Sequence, residues 1–162
     1  MHSDTVAFDP DHNHSACKQA ALTKARQICQ ERKLRMTPIR ELVLKTIWQS
    51  HKPLGAYELL PTLSEAGFNS APPTVYRALE FLQEQGLVHR IALLNAFIGC
   101  PHPGAHHQCS FLICRQCGNT QELDMQAVTR QIEQQATAMG FTPQQQALEV
   151  LGLCQHCQES QP

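Results

Sequence analysis

The chain has 162 residues, 42% hydrophobic and 17% charged, with 13 Lys and Arg against 14 Asp and Glu. A chain of this composition folds, which excludes a disordered scaffold. Its apolar runs, such as Ile91-Ala92-Leu93-Leu94, are too short to cross a bilayer, and no basic start precedes a long apolar stretch, so neither a membrane protein nor a secretory leader is expected.

Residues 1–14 are polar, contain His2, His12 and His14, and read as a disordered tail. From Ser15 to Arg32 the residues Ala21, Leu22, Ala25, Ile28 and Cys29 recur at helical spacing. Cys17 and Cys29 have no Cys-x-x-Cys partner and are read as helix residues. Thr37-Pro38 starts the next helix, because Thr37 can cap the free N–H groups and Pro38 suits the first helical position. Ile39, Leu42, Val43 and Ile47 give it an apolar stripe that ends at His51–Gly55. A short helix over Ala56–Ala66 follows, with Leu59, Leu60 and Leu63 inward. A further helix begins at Pro72-Pro73-Thr74 and runs to about Gln85 on Val75, Ala78, Leu79 and Leu82, with Gly86 as its left-handed stop. Leu87–Ile91 and Ala96–Ile98 alternate like strands around a turn near Leu94-Asn95.

Three short helices followed by a hairpin is the order of a winged helix, whose third helix enters the major groove. The outward face of that helix carries Thr74, Tyr76 and Arg77. Arg can pair bidentately with guanine, Thr can reach a phosphate or a base, and Tyr can touch a thymine methyl or a phosphate. A helical bundle with an idle polar face fits the same local pattern.

Downstream, a strand is expected at Ser110–Ile113, pairing with Thr120–Asp124 across a Cys114–Cys117 knuckle. A helix at Met125–Met139 and a strand at Ala147–Leu153 follow. Charge and thiols divide along the chain. Residues 17–95 hold 11 Lys and Arg against 6 Asp and Glu, and residues 96–162 hold 2 against 5, while six of the eight Cys lie from Cys100 onward. We therefore read a tail at 1–14, a basic domain at 15–95 and an acidic, Cys-rich domain at 96–162, joined near residues 91–100. A basic domain suits a polyanion, although an ordinary solvated surface accounts for the same excess.

Cys114-Arg115-Gln116-Cys117 and Cys154-Gln155-His156-Cys157 are two Cys-x-x-Cys knuckles separated by 36 residues. Together they supply four sulfurs, the donor set of a closed structural zinc site. Its binding free energy would add to folding, on the order of 10 kcal/mol. A thioredoxin-like pair or a disulfide suits one such spacing better than two. His156 lies inside the second knuckle and is not read as a ligand. Further donors are His89, Cys100, His102, His106, His107, Cys109 and Glu122, and spacing alone does not choose four among them.

Arg35-Met36-Thr37-Pro38-Ile39-Arg40, Pro72-Pro73-Thr74-Val75-Tyr76-Arg77-Ala78-Leu79-Glu80-Phe81-Leu82, Gly86-Leu87-Val88-His89 and the two knuckles together resemble the ferric uptake regulator family of bacterial metal-sensing repressors. The likeness spans about residues 20–157 and is strongest to zinc-type members. Iron-type members carry His-His-Asp-His just before the first knuckle, where this chain has Gln108-Cys109-Ser110-Phe111.

The resemblance implies an α+β fold: an N-terminal winged-helix DNA-binding domain and a C-terminal α/β dimerisation domain holding a four-cysteine zinc site. It places a regulatory zinc on His89, Cys100, His107 and Glu122, with His106 able to replace His107, and it adds Tyr57 to the DNA-contacting residues Tyr76 and Arg77. Thiolate, imidazole and carboxylate in a tetrahedron favour zinc over iron(II) or manganese(II).

It further implies a cytoplasmic homodimer with two zinc ions per subunit. The dimer would bind a pseudo-palindromic, AT-rich double-stranded operator and repress zinc-uptake genes, and it would not be an enzyme. The rival readings are a sensor of peroxide, iron, manganese or nickel in the same family, a thiol redox switch or zinc-storage protein, and a metal-dependent hydrolase, for which a site of four protein ligands leaves little room.

Overall fold

The structure is a computed structural model that describes residues 8, 13–104 and 108–160. The expectation of a disordered tail thus falls largely outside the described residues. The chain forms two compact units, Asp9–Ala105 and Met1–Phe8 with His106–Pro162. The fold is α+β.

The first unit contains α1 (His14–Glu31), α2 (Pro38–Ile47), a 3-10 turn (Ala56–Leu59), α3 (Leu60–Glu65), α4 (Pro72–Glu84), β1 (Val88–Ile91) and β2 (Ala96–Gly99). Thr37 caps α2, its hydroxyl accepting from the Arg40 N–H at 3.4 Å, with Pro38 in the first turn. The apolar stripes then meet. Leu22, Ala25, Ile28 and Cys29 of α1, Val43, Leu44 and Ile47 of α2, Leu59, Leu63, and Val75, Leu79 and Leu82 of α4 form one buried core. Arg26 of α1 pairs with Glu41 of α2 at the surface, and the Arg40 guanidinium lies 3.5 Å from the centre of the Phe81 ring.

The end of α4 sets the position of the hairpin. Gly86 takes φ 70°, a left-handed conformation that glycine adopts without strain. Its N–H bonds to Gln83 O at 3.0 Å and that of Leu87 to Leu82 O at 2.8 Å. The chain reverses directly into β1. β1 and β2 are antiparallel with His89 opposite Ile98, and the turn places Asn95 at φ 46°. β2 therefore belongs to the same compact unit as β1, and the unit runs past the join that the charge asymmetry suggests at 91–100. A third segment joins the wing: Leu54 bridges Phe97 through N–H···O bonds of 2.9 and 2.7 Å. The helix expected over Ala56–Ala66 is instead a 3-10 turn followed by α3.

The second unit contains β3 (Cys109–Cys114), β4 (Thr120–Leu123), α5 (Gln126–Ala138), β5 (Ala147–Gly152) and α6 (Gln155–Glu159). Its sheet has the order β4-β3-β5, antiparallel between β3 and β4 and parallel between β3 and β5. The parallel partner requires a crossover, which α5 supplies. No helix among the described residues is long and apolar enough to cross a membrane.

Candidate metal centre and nucleic-acid face

Both knuckles sit where a strand stops. Cys114 ends β3, and the chain turns through Cys117, with the Gly118 N–H on Cys114 O at 2.9 Å and the Cys114 N–H on Asn119 O at 2.9 Å. The Arg115 N–H bonds to Gly152 O at 2.9 Å, so the end of β5 arrives beside the first knuckle. Cys154 then caps α6, and Cys157 lies inside that helix.

The four sulfurs fall within 4.8 Å of one another. Those of Cys117 and Cys154 are 3.9 Å apart, far beyond a disulfide bond and close to the ~3.8 Å edge of a tetrahedron with Zn–S near 2.3 Å. None of the eight cysteines is in a disulfide. Phe8 and Leu153 pack against the cluster and help keep water away.

The electrostatics fit a cation. Burial alone would raise the Cys114 thiol, but N–H groups of Cys117, Cys154 and Gln116 outweigh it and bring the thiol down to about 6. The Cys154 N–H reaches its sulfur at 3.4 Å. Burial and the neighbouring thiols push Cys157 up to about 12, and burial also raises Cys117. Without a cation the pocket favours one thiolate and resists further negative charge. A dication removes that resistance and lets the remaining thiols ionise. The donor set and spacing therefore fit zinc.

The expected regulatory ligands lie on different elements. His89 is half-buried in β1. Cys100 is buried just after β2, its N–H on Leu87 O at 3.0 Å. Glu122 is half-buried in β4, opposite Phe111. His106 and His107 fall outside the described residues. Cys109 is on β3, on the same face of the sheet as Glu122, and its thiol is pushed up to about 12 by burial and by the Glu122 charge.

On the first unit, α4 presents Tyr76 and Arg77 to solvent, with Thr74 half-buried near its start. The buried Val75, Ala78 and Leu79 hold the opposite face of the helix inward. Tyr57, 66% exposed, stands on the 3-10 turn, which packs against α4. Tyr57, Tyr76 and Arg77 are thus exposed on two elements that pack against each other. Sequence reading missed Phe8 on the thiol cluster and the Leu54 bridge. A lone aromatic in a polar tail and a single bridging residue leave no periodic signal.

The profile of the ferric uptake regulator family matches residues 31–151. The zinc uptake regulation protein of Escherichia coli (strain K12) is 37% identical over 142 residues, covering 87% of this chain and 83% of that protein. The crystal structure of holo XcZur aligns with a TM-score of 0.79 at 47% identity, covering 87% of this chain and 99% of that one. A zinc uptake regulator complexed with zinc and DNA aligns with a TM-score of 0.82 at 38% identity, covering 88% and 95%.

Proposed function

Because this chain belongs to the ferric uptake regulator family, we propose that it is a zinc-responsive transcriptional repressor that binds operator DNA as a homodimer and represses zinc-uptake genes. The observation that carries this reading is the similarity to zinc uptake regulators over 87–88% of the chain, beside which this chain has its own exposed α4 face and four-thiol cluster.

Cys114, Cys117, Cys154 and Cys157 hold a structural zinc. His89, Cys100, His107 and Glu122 hold a second, regulatory one, giving two per subunit. Zinc supplies a tetrahedral cross-link without redox chemistry. The protein's own groups do the rest: Tyr57, Thr74, Tyr76 and Arg77 contact DNA, and α4 positions the last three. Regulatory ligands drawn from both the wing and the second domain give the metal different affinities for different domain arrangements, which is the requirement for a population shift. A coupling of about 1–3 kcal/mol is ordinary for such a switch.

Homodimerisation is supported by apolar side chains left exposed on the second unit. Val128, Ile132, Met139, Phe141, Val150 and Leu151 are 40–86% exposed, and a monomer seldom leaves so many uncovered. The operator is taken to be pseudo-palindromic and AT-rich, matching a two-fold dimer, and the protein to be cytoplasmic. It acts by binding and not by catalysis.

The test is operator binding across a zinc-buffered series, using DNA selected by the loaded protein from a random pool. A coupling of the size above tightens binding at least ~5-fold on zinc loading. Equal binding by the metal-stripped dimer, or tighter binding with iron or manganese than with zinc, would overturn the assignment.

A further inference from the structure

The four-thiol cluster is walled by the chain that carries it. The end of β3 turns through Gly118, whose N–H bonds to Cys114 O, and the Arg115 N–H on Gly152 O brings the end of β5 alongside. α6 carries Cys157, and Leu153, just ahead of that helix, packs on the sulfurs. One piece of the cover comes from elsewhere in the sequence. Phe8, well ahead of the knuckles and upstream of α1, is half-buried and packs against Cys114, Cys154 and Cys157. It belongs to the same compact unit as the knuckles, whereas Asp9 onward belongs to the other.

We infer that Phe8 is a removable cover over the four-thiol centre and that it governs how fast the centre gains and loses its metal ion. The inference rests on the structural-zinc reading of Cys114, Cys117, Cys154 and Cys157. A phenylalanine ring can shield several sulfurs at once, since it buries roughly 150–250 Å² when fully enclosed. It brings no donor atom, so it adds nothing to the coordination and acts by exclusion alone. Its hold differs in kind from that of the knuckles, which are fixed by a strand end and by α6. Phe8 lies outside the three-stranded sheet and meets the cluster through apolar packing. Such a contact opens at lower cost than a strand unpairs, so the ring leaves the cluster while the unit stays folded.

Zinc leaves a four-thiolate site by exchange. A donor atom of the incoming ligand bonds to the ion while a thiolate sulfur leaves it and takes up a proton from solvent. The incoming ligand must first reach the ion. With the ring in place, the approach over Cys114, Cys154 and Cys157 is blocked, and with the ring displaced it is open. The same ring stands in the way of a reagent attacking the metal-free thiols. Both rates then scale with the fraction of time that the ring is out, and a smaller side chain raises that fraction.

The test uses the full-length protein carrying Cys100→Ser, which removes a ligand of the second proposed site, with and without Phe8→Ala. The zinc-loaded protein is mixed with excess 4-(2-pyridylazo)resorcinol, and zinc transfer is followed by absorbance. Phe8→Ala should release zinc at least threefold faster, and Phe8→Tyr, which keeps the ring, should release it at the parent rate. In a second measurement the reduced, metal-free proteins are pulse-alkylated, and each cysteine is followed by mass spectrometry. Cys114, Cys154 and Cys157 should react at least threefold faster in Phe8→Ala, while Cys29, buried in the core of the first unit, keeps its rate. An unchanged rate in either measurement overturns the cover, and so does an equal acceleration at Cys29, which would mean general loosening. If Phe8→Ala does not fold by circular dichroism, Phe8→Val replaces it, with the same expected and refuting results. A Cys100→Ser protein that takes up no zinc defeats the structural-zinc reading itself, and the alkylation pattern then decides the cover separately.

Discussion

Arg77 and Tyr76 are exposed on a helix whose opposite side is fixed in the core, so removing either side chain leaves the scaffold intact. Arg77→Ala should weaken specific DNA binding by about 1–3 kcal/mol if the guanidinium reads a base. Competition between operator and scrambled DNA checks this, and wild-type selectivity in the variant would refute a base-reading role. The cysteines divide by what surrounds them. Cys114 lies within reach of three other sulfurs, whereas Cys100 ends the wing. Cys114→Ser should therefore lower the thermal midpoint of the zinc-loaded protein markedly. Cys100→Ser should keep the fold and lose most of the zinc dependence of operator binding. Equal loss of folding in both variants would contradict the division into structural and regulatory sites.

Among the elements, the wing depends on an absent side chain. A Cβ on Gly99 would lie 2.3 Å from the Trp48 ring, which packs over the end of β2. Gly99→Ala should thus displace the tryptophan or the strand and destabilise the first unit by roughly 1–3 kcal/mol. Trp48 is the only tryptophan, so a shifted emission maximum together with an earlier urea midpoint reads out the effect directly. The helices and strands of the chain are largely legible from its residues. Thr37-Pro38 and Gly86 punctuate the sequence, and the stripes on α2 and α4 have clear helical period. The Ala56–Ala66 segment is harder, because Pro61 lies inside it and short helical runs do not distinguish a 3-10 turn from an α-helix.

For the molecule as a whole, the apolar side chains left exposed on α5 and β5 call for a partner. Ile132, 44% exposed on α5, offers a test: Ile132→Glu should shift sedimentation from dimer toward monomer at micromolar concentration. Operator affinity should fall with it, since a two-fold site needs both DNA-reading heads. A dimer that tolerates the charge would place the interface elsewhere.

Residue order alone carries the two Cys-x-x-Cys pairs, the Pro72 start of the reading helix and the hairpin behind a left-handed glycine. These are short-range properties, set by periodicity, helix-end chemistry and ligand spacing within a few residues. What distant residues do together emerges from folding in three dimensions. The parallel β3–β5 pairing brings Cys114 and Cys117 to Cys154 and Cys157, Phe8 comes to rest against those sulfurs, Leu54 joins the wing, and His14 stands beside His51. Such contacts depend on how the chain closes its long loops around the cores, and no local pattern encodes that closure.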